Sequence, residues 1–228
     1  MLHARKNSLV WSCALAVLAI GGALNGFAQQ YTWIGLPTLE GYRGESQIYG
    51  MNNEGLLAGW SRNSEGTKRA CIWDVEAGTV TELGVFTDGL ESFARDVNAS
   101  GQVAGSSSVS MYDPATHAFI WDPDTQAMTA LDTSHTYMSS IAYAINASGQ
   151  IAGCATAMGY KSCAFIWDSS NGMIEIGTLG GYHGYAFDIN DSGQVVGYAQ
   201  DATGYERAFR WDETNGMLNL GTLSGHTI

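Results

Sequence analysis

The sequence predicts an all-β protein, a β-propeller-like array of four four-stranded antiparallel repeats of about 46 residues each. Asn-x-x-Gly recurs at Asn52, Asn98, Asn146 and Asn190, in steps of 46, 48 and 44 residues. Trp-Asp recurs at Trp73, Trp121, Trp167 and Trp211, in steps of 48, 46 and 44. Two independent markers that advance together indicate stacked supersecondary units, none able to bury its apolar surface alone.

Each unit holds four short apolar stretches separated by turn residues. In the last complete unit these are YAFDIN from Tyr185, QVVGYA from Gln194, RAFRWD from Arg207 and MLNLGT from Met217. They are rich in aromatic and β-branched residues and lack a period near 3.6, so they read as strands. Between the first two, the asparagine suits an Asx-turn and the glycine accepts a positive φ, which makes the pair a hairpin. The third stretch, as in HAFIWD from His117 and CAFIWD from Cys163, places large residues on both faces. A strand buried on both faces needs a neighbour on each, as in a propeller blade; a β-solenoid, whose coils are shorter, is the alternative.

The repeats run from about 37 to 84, 85 to 131, 132 to 177 and 178 to 221, with 222–228 beginning a fifth. TWIGL from Thr32 matches the fourth-strand stretches TELGV, IEIGT and LNLGT. One fourth-type strand is therefore surplus to a closed ring of four, so the expected array is open or the chain stops early. Residues 1–28 combine Arg5 and Lys6, an apolar run from Leu9 to Leu24, and small residues at Gly26 and Ala28. They read as a secretory signal cut after Ala28, and the run is too short for a membrane span. The remainder keeps 8 of the 10 basic residues against all 22 acidic ones, a formal charge of −14. Nucleic acid and anionic lipid are poor partners for such a chain, and no second apolar span follows.

HAF at residues 117–119, together with the recurrent GTLGG, DIN, GQVVG and FIWD phrases, resembles the HAF-repeat family of extracellular bacterial proteins. The resemblance runs from about Tyr31 to Ile228. It implies secretion and a repeat scaffold, and it supplies no catalytic residues. Arg69, Cys71, Cys163 and Arg207 depart from the tripeptide, so its histidine is not a uniform functional group.

Candidate chemistry is sparse. Asp188, Asn190 and Ser192 before Gly193 spell the opening of a calcium loop, but no carboxylate follows in residues 194–197 and the third repeat has Ala144 in place of Asp188. An Asx-turn is the expected role, with no cofactor required and calcium the one metal to test. His117, His135, His183 and His226 lack zinc-motif spacing, and no nucleophile elbow or phosphate loop occurs. Aromatics outside the repeated core positions are candidates for stacking on sugar rings, with core or blade-edge packing the alternative that the composition of such folds favours: Trp33, Trp60, Tyr112, Tyr182 and Tyr205, and also Tyr42, Tyr137 and Tyr160.

The cysteines make a sharper expectation. Cys71 aligns with Phe119, Phe165 and Phe209, a core position for a thiol. Cys154 and Cys163, nine apart, take the positions held by Trp60 with Arg69 and Tyr198 with Arg207. They read as a cross-strand pair that closes a disulfide in an oxidising compartment. Three functional classes follow. The first is a secreted or periplasmic non-catalytic scaffold that binds an extracellular polysaccharide or surface protein. The second is a hydrolase or lyase with a composite site in which Asp96, Asp188 and Glu91 converge. The third is a structural piece of a longer array.

Overall fold

Four sheets, one per repeat, contain all the strands of the described residues. Blade 1 is β1 (Ser46–Met51), β2 (Leu56–Arg62), β3 (Lys68–Asp74) and β4 (Thr79–Gly84); blade 2 is β5 (Ser92–Val97), β6 (Val103–Ser108), β7 (Thr116–Asp122) and β8 (Ala127–Ala130). Blade 3 is β9 (Tyr137–Ile145), β10 (Ile151–Ala157), β11 (Ser162–Asp168) and β12 (Gly172–Gly177); blade 4 is β13 (Gly180–Ile189), β14 (Val195–Asp201), β15 (Glu206–Asp212) and β16 (Gly216–Asn219). Each sheet is ordered by sequence and antiparallel throughout. The computed structural model describes residues 34–39, 45–110, 115–132 and 136–222. All these elements lie in the unit Gly35–Ile228. Among the described residues no helix occurs and no strand joins blade 1 to blade 4, so the four blades form a propeller-like array whose first and last sheets are not joined.

The repeated asparagine closes its hairpin as the sequence requires. Asn146 Oδ1 accepts from the Ser148 and Gln150 amides at 3.1 and 2.9 Å, and Asn190 Oδ1 does the same for Ser192 and Gln194 at 3.1 and 3.0 Å. The glycines at positions 101, 149 and 193 take φ of 80°, 81° and 72°, where other side chains are strained. The amide of the same asparagine has a second task. Nδ2 of Asn52 donates to the Asn98 carbonyl at 2.9 Å, Asn98 to Asn146 at 3.1 Å, and Asn146 to Asn190 at 3.0 Å. One side chain thus shapes a turn and fastens its blade to the next.

The aspartate of Trp-Asp is also a turn residue. Asp74 Oδ1 accepts from the Ala77 amide, Asp168 Oδ1 from Ser170 and Asn171, and Asp212 Oδ1 from Asn215, all at 2.8 Å. Hydrogen bonds favour the charged form. The Thr125 amide holds the Asp122 carboxyl below the ordinary 3.8, and Asn171 and Asn215 do the same for Asp168 and Asp212. At the second hairpin of blade 4, Thr203 above all lowers Asp201 to about 2. Because these folded values lie below the unfolded one, the turns stabilise the fold fully above about pH 4 and lose that contribution as pH falls through the folded values. Tm measured against pH should fall between about pH 4 and pH 2, with a shallower slope for Asp201→Asn.

Packing between blades explains the apolar half of the repeat. One blade offers small residues, the next offers large ones. Ala58 and Ala70 of blade 1 receive Val97, Val103, Phe119 and Trp121 of blade 2. Ala104 and Ala118 receive Ile145, Ile151 and Phe165, while Ala152 and Ala164 receive Ile189, Val195 and Phe209. Within each x-Ala-Phe tripeptide the alanine therefore packs forward and the phenylalanine backward, as successive strand residues point to opposite faces.

The cysteine expectation fails on that same alternation. β10 and β11 pair Cys154 with Ala164 and Ala155 with Cys163, so the two sulfurs lie on opposite faces of the sheet. Cys154 Sγ lies 3.9 Å from the Tyr143 hydroxyl, and Cys71, Cys154 and Cys163 are all free and buried. The equivalent expectation for Trp60 with Arg69 slips by one residue too, since Trp60 pairs with Ala70. Burial pushes the Cys71 thiol up to about 12 and Cys154 to about 11. Peptide mapping without reductant should recover all three thiols free, with slow alkylation until the chain is unfolded. A Cys154–Cys163 crosslink would contradict this register.

Candidate functional site

Strand order divides the blades into two ends. The first strand of every blade runs to its asparagine turn, so the hairpins joining second and third strands, and the links between blades, lie at the opposite end. That loop end carries Leu90, Val109, Met138, Met158, Tyr160, Tyr182 and Tyr205, all exposed large apolar side chains. Scattered apolar exposure is ordinary, but a concentration at one end marks a surface for contact.

Blade 4 builds the most developed part of this end. β13 and β14 pair Gly180 with Asp201 and Gly184 with Ala199, so residues 181–183 face Gln200 alone. The surplus residues bulge, and Tyr182 is turned out to 73% exposure with its amide donating to Gln200 Oε1 at 3.3 Å. A Cβ at Gly181 would stand 2.5 Å from that of Gln200, so a larger residue would force the bulge apart. At the adjacent hairpin tip Asp201 Oδ1 accepts from the Thr203 and Tyr205 amides at 2.9 and 3.1 Å. Its other oxygen meets Arg207 Nε at 2.9 Å, and the Arg207 guanidinium lies 5.2 Å from the centre of the Tyr205 ring. Tyr205 stays 50% exposed. An aromatic face, a carboxylate, a guanidinium and a carboxamide thus share one end of one blade on the β14–β15 hairpin.

The other stacking candidates have different fates. Trp60 is covered and offers no free stacking face: its Nε1 donates to the Tyr49 hydroxyl at 3.2 Å and the Lys68 ammonium stands 5.0 Å from the ring centre. It belongs to a packed seam of rings and cations, in which Arg95 lies 4.5 Å from the Tyr49 ring. In blades 3 and 4 the seam continues with Tyr143 and Phe187 at 5.3 Å and with Tyr185 and Tyr198 at 5.0 Å. Tyr137 donates to Glu175 at 2.9 Å. Tyr160 is exposed at the tip of the blade 3 hairpin, with φ of 62°. Trp33, Tyr42 and Tyr112 lie outside the described residues, as do residues 1–28 and the start of the fifth repeat beyond 222.

The three acids do not form one site. Glu91 precedes β5 and Asp96 lies near its far end, so they face opposite ends of blade 2. Asp96 accepts from the Val97 amide at 2.9 Å and from Ile145 of blade 3 at 3.0 Å. Burial nonetheless raises its carboxyl above 3.8. Asp188 is near enough to add to that rise and accepts from its neighbour Ile189 at 2.9 Å. Both act first as backbone acceptors. In the Asp188, Asn190 and Ser192 turn, the asparagine oxygen likewise faces the turn amides. No group of three or more histidine, cysteine or acidic side chains gathers as a metal would need among the described residues. A cavity of about 350 Å³ at the asparagine end is lined by all four blades. Asn52, Asn98, Asn146 and Asn190 in its lining are the asparagines engaged between blades, which makes it the seam of the scaffold.

No protein-family model matches the chain, and no curated protein matches it. Solved structures do. TolB from Acinetobacter baumannii superposes with a TM-score of 0.56 at 14% identity, over 79% of this chain and 45% of that one. A putative TolB from Agrobacterium tumefaciens gives 0.55 at 15% identity, over 73% and 61%. The chain thus spans about half the length of these proteins. The likeness is one of fold, and it agrees with the propeller-like arrangement of blades described above.

Proposed function

We propose that the protein is a secreted or periplasmic, non-catalytic repeat scaffold that binds an extracellular polysaccharide at its loop end, with blade 4 as the principal contact. The observation that carries this reading is the placement at one end of blade 4 of two outward tyrosines, Tyr182 on the β13 bulge and Tyr205 on the β14–β15 hairpin, the latter beside the Asp201–Arg207 ion pair. Sugar rings present apolar C–H faces that lie on aromatic rings, and hydroxyls that bond to carboxylates, guanidinium groups and carboxamides. The leader-like residues 1–28 and the resemblance to HAF-repeat proteins support export. The acidic surface suits a neutral or basic polymer better than an anionic one.

The test is a panel of insoluble and soluble polysaccharides, neutral, amino-sugar and anionic, probed with the purified chain. Binding to at least one is expected, and Tyr182→Ala and Tyr205→Ala should each weaken it by about tenfold. Their Tm should stay unchanged, because both rings are exposed. No binding to any member, or binding indifferent to both substitutions, would overturn the proposal.

A further inference from the structure

Arg95 is the residue left over in a β-bulge. In the first strand of every blade the pairing skips one residue, and the four so displaced are Tyr49, Arg95, Tyr143 and Phe187. Three blades fill the position with a ring; blade 2 fills it with a cation. Lys68 shows the same departure at the start of β3, since β7, β11 and β15 begin with Thr116, Ser162 and Glu206. The two cations meet at the junction of blades 1 and 2. Lys68 Nζ lies 5.4 Å and Arg95 Cζ 5.8 Å from the centre of the same ring, that of Phe93. Trp60 stands 5.0 Å from Lys68 and Tyr49 4.5 Å from Arg95, each measured to the ring centre.

Aromatic faces hold a cation in place but do not neutralise it. Acids are plentiful in this chain, 22 against 10 basic residues. Arg62, Arg69, Arg207 and Arg210 each meet one, at 2.6, 3.2, 2.9 and 3.0 Å. Lys68 and Arg95 have no such partner among the described residues. Arg95 is half-buried and its Nε is buried without a hydrogen bond, an arrangement that lowers stability unless something fills it. Asp96, its neighbour in sequence, accepts from the Val97 and Ile145 amides instead. Packing alone does not require the cation, because tyrosine serves the same position at Tyr49 and Tyr143. We infer that the junction of blades 1 and 2 binds a small organic carboxylate, with Arg95 as the forked donor to its two oxygens and Lys68 as the second positive charge. A planar guanidinium matches a carboxylate with two parallel bonds, and an ammonium adds charge without fixing geometry. One negative charge on a small molecule suits the site better than a polyanion, since the acidic chain repels each further charge. The site is separate from the blade 4 tyrosines and does not rest on the polysaccharide reading.

Calorimetric titration with glucuronate, and with glucose as its uncharged match, tests this at about 20 mM salt, where charge is little screened. Glucuronate should bind with a Kd of about 1 mM, and glucose should not bind. Arg95→Tyr installs the residue of blades 1 and 3, and Lys68→Thr installs that of blade 2. The first should weaken binding at least tenfold and the second several-fold, both with Tm unchanged. Arg95→Lys keeps the charge and loses the fork, so it should weaken binding nearly as much as Arg95→Tyr. Glucuronate should also raise the Tm of the wild type and leave that of Arg95→Tyr where it is. The Lys68→Thr and Arg95→Lys titrations stand whether or not Arg95→Tyr folds. No binding at about 10 mM glucuronate, equal binding of glucose, or an affinity untouched by the substitutions would overturn the inference. An Arg95→Tyr variant that melts several degrees earlier yet binds like the wild type would do so as well, because the cation would then serve packing alone.

Discussion

Replacing Gly153 by alanine is expected to cost about 3 kcal/mol or more and to send much of the protein into the insoluble fraction. The added Cβ would run into the carbonyl oxygen of Ile141 on β9 and stand 2.6 Å from the Phe165 ring on β11. Neither obstacle can yield cheaply. The carbonyl belongs to the ladder between β9 and β10, and the ring is fully buried against blade 2. For a domain of this size the loss corresponds to a Tm lower by about 6–12 °C. Gly105 occupies the same repeat position, facing Phe93 O and the Phe119 ring, so Gly105→Ala should behave alike. Gly35→Ala is the control. Nothing lies within 4 Å of its added Cβ, and Tm should not move. Equal losses at positions 35 and 153 would show that the close approach is not the cause.

Asn98→Ala should lower stability by about 2–4 kcal/mol, since it leaves buried polar groups without partners. The side chain accepts from the Gln102 amide at 2.9 Å and from the Ser100 hydroxyl at 2.8 Å, and donates to the Asn146 carbonyl at 3.1 Å. It is 4% exposed, so water cannot replace these bonds without opening the blades. Asn190→Ala removes the same residue from the same place in the repeat, but Asn190 is exposed and closes only its own turn. That substitution should cost about 1 kcal/mol. Chemical denaturation of the two variants side by side separates the explanations. Equal costs would mean that the turn alone matters and that the bonds between blades contribute nothing measurable.

The features legible from sequence are those set by local chemistry or repeated often enough to be read without a structure. The period, the four strands of each blade, the asparagine turns and the thiol at Cys71 rest on residues within one hairpin or on one position compared across four blades. Their physics closes over a few residues: an asparagine oxygen reaches its own turn amides, and a glycine adopts the φ its turn demands. The stretch from Thr32, which matches a fourth strand, left the array either open or cut short, and the structure shows only that the sheets of blades 1 and 4 are not joined among the described residues. What tertiary structure alone decided is which face each residue meets. A slip of one residue moved Cys154 and Cys163 to opposite sides of a sheet, because side chains alternate with a period of two. Lys68 covers Trp60 only because the pairing of β2 with β3 places both on one face. Glu91 parted from Asp96 because a strand lies between them, and Tyr182 reached solvent because three residues had to fit opposite one. The double role of the asparagine depends on a neighbouring blade, whose distance in space is not written in its spacing along the chain.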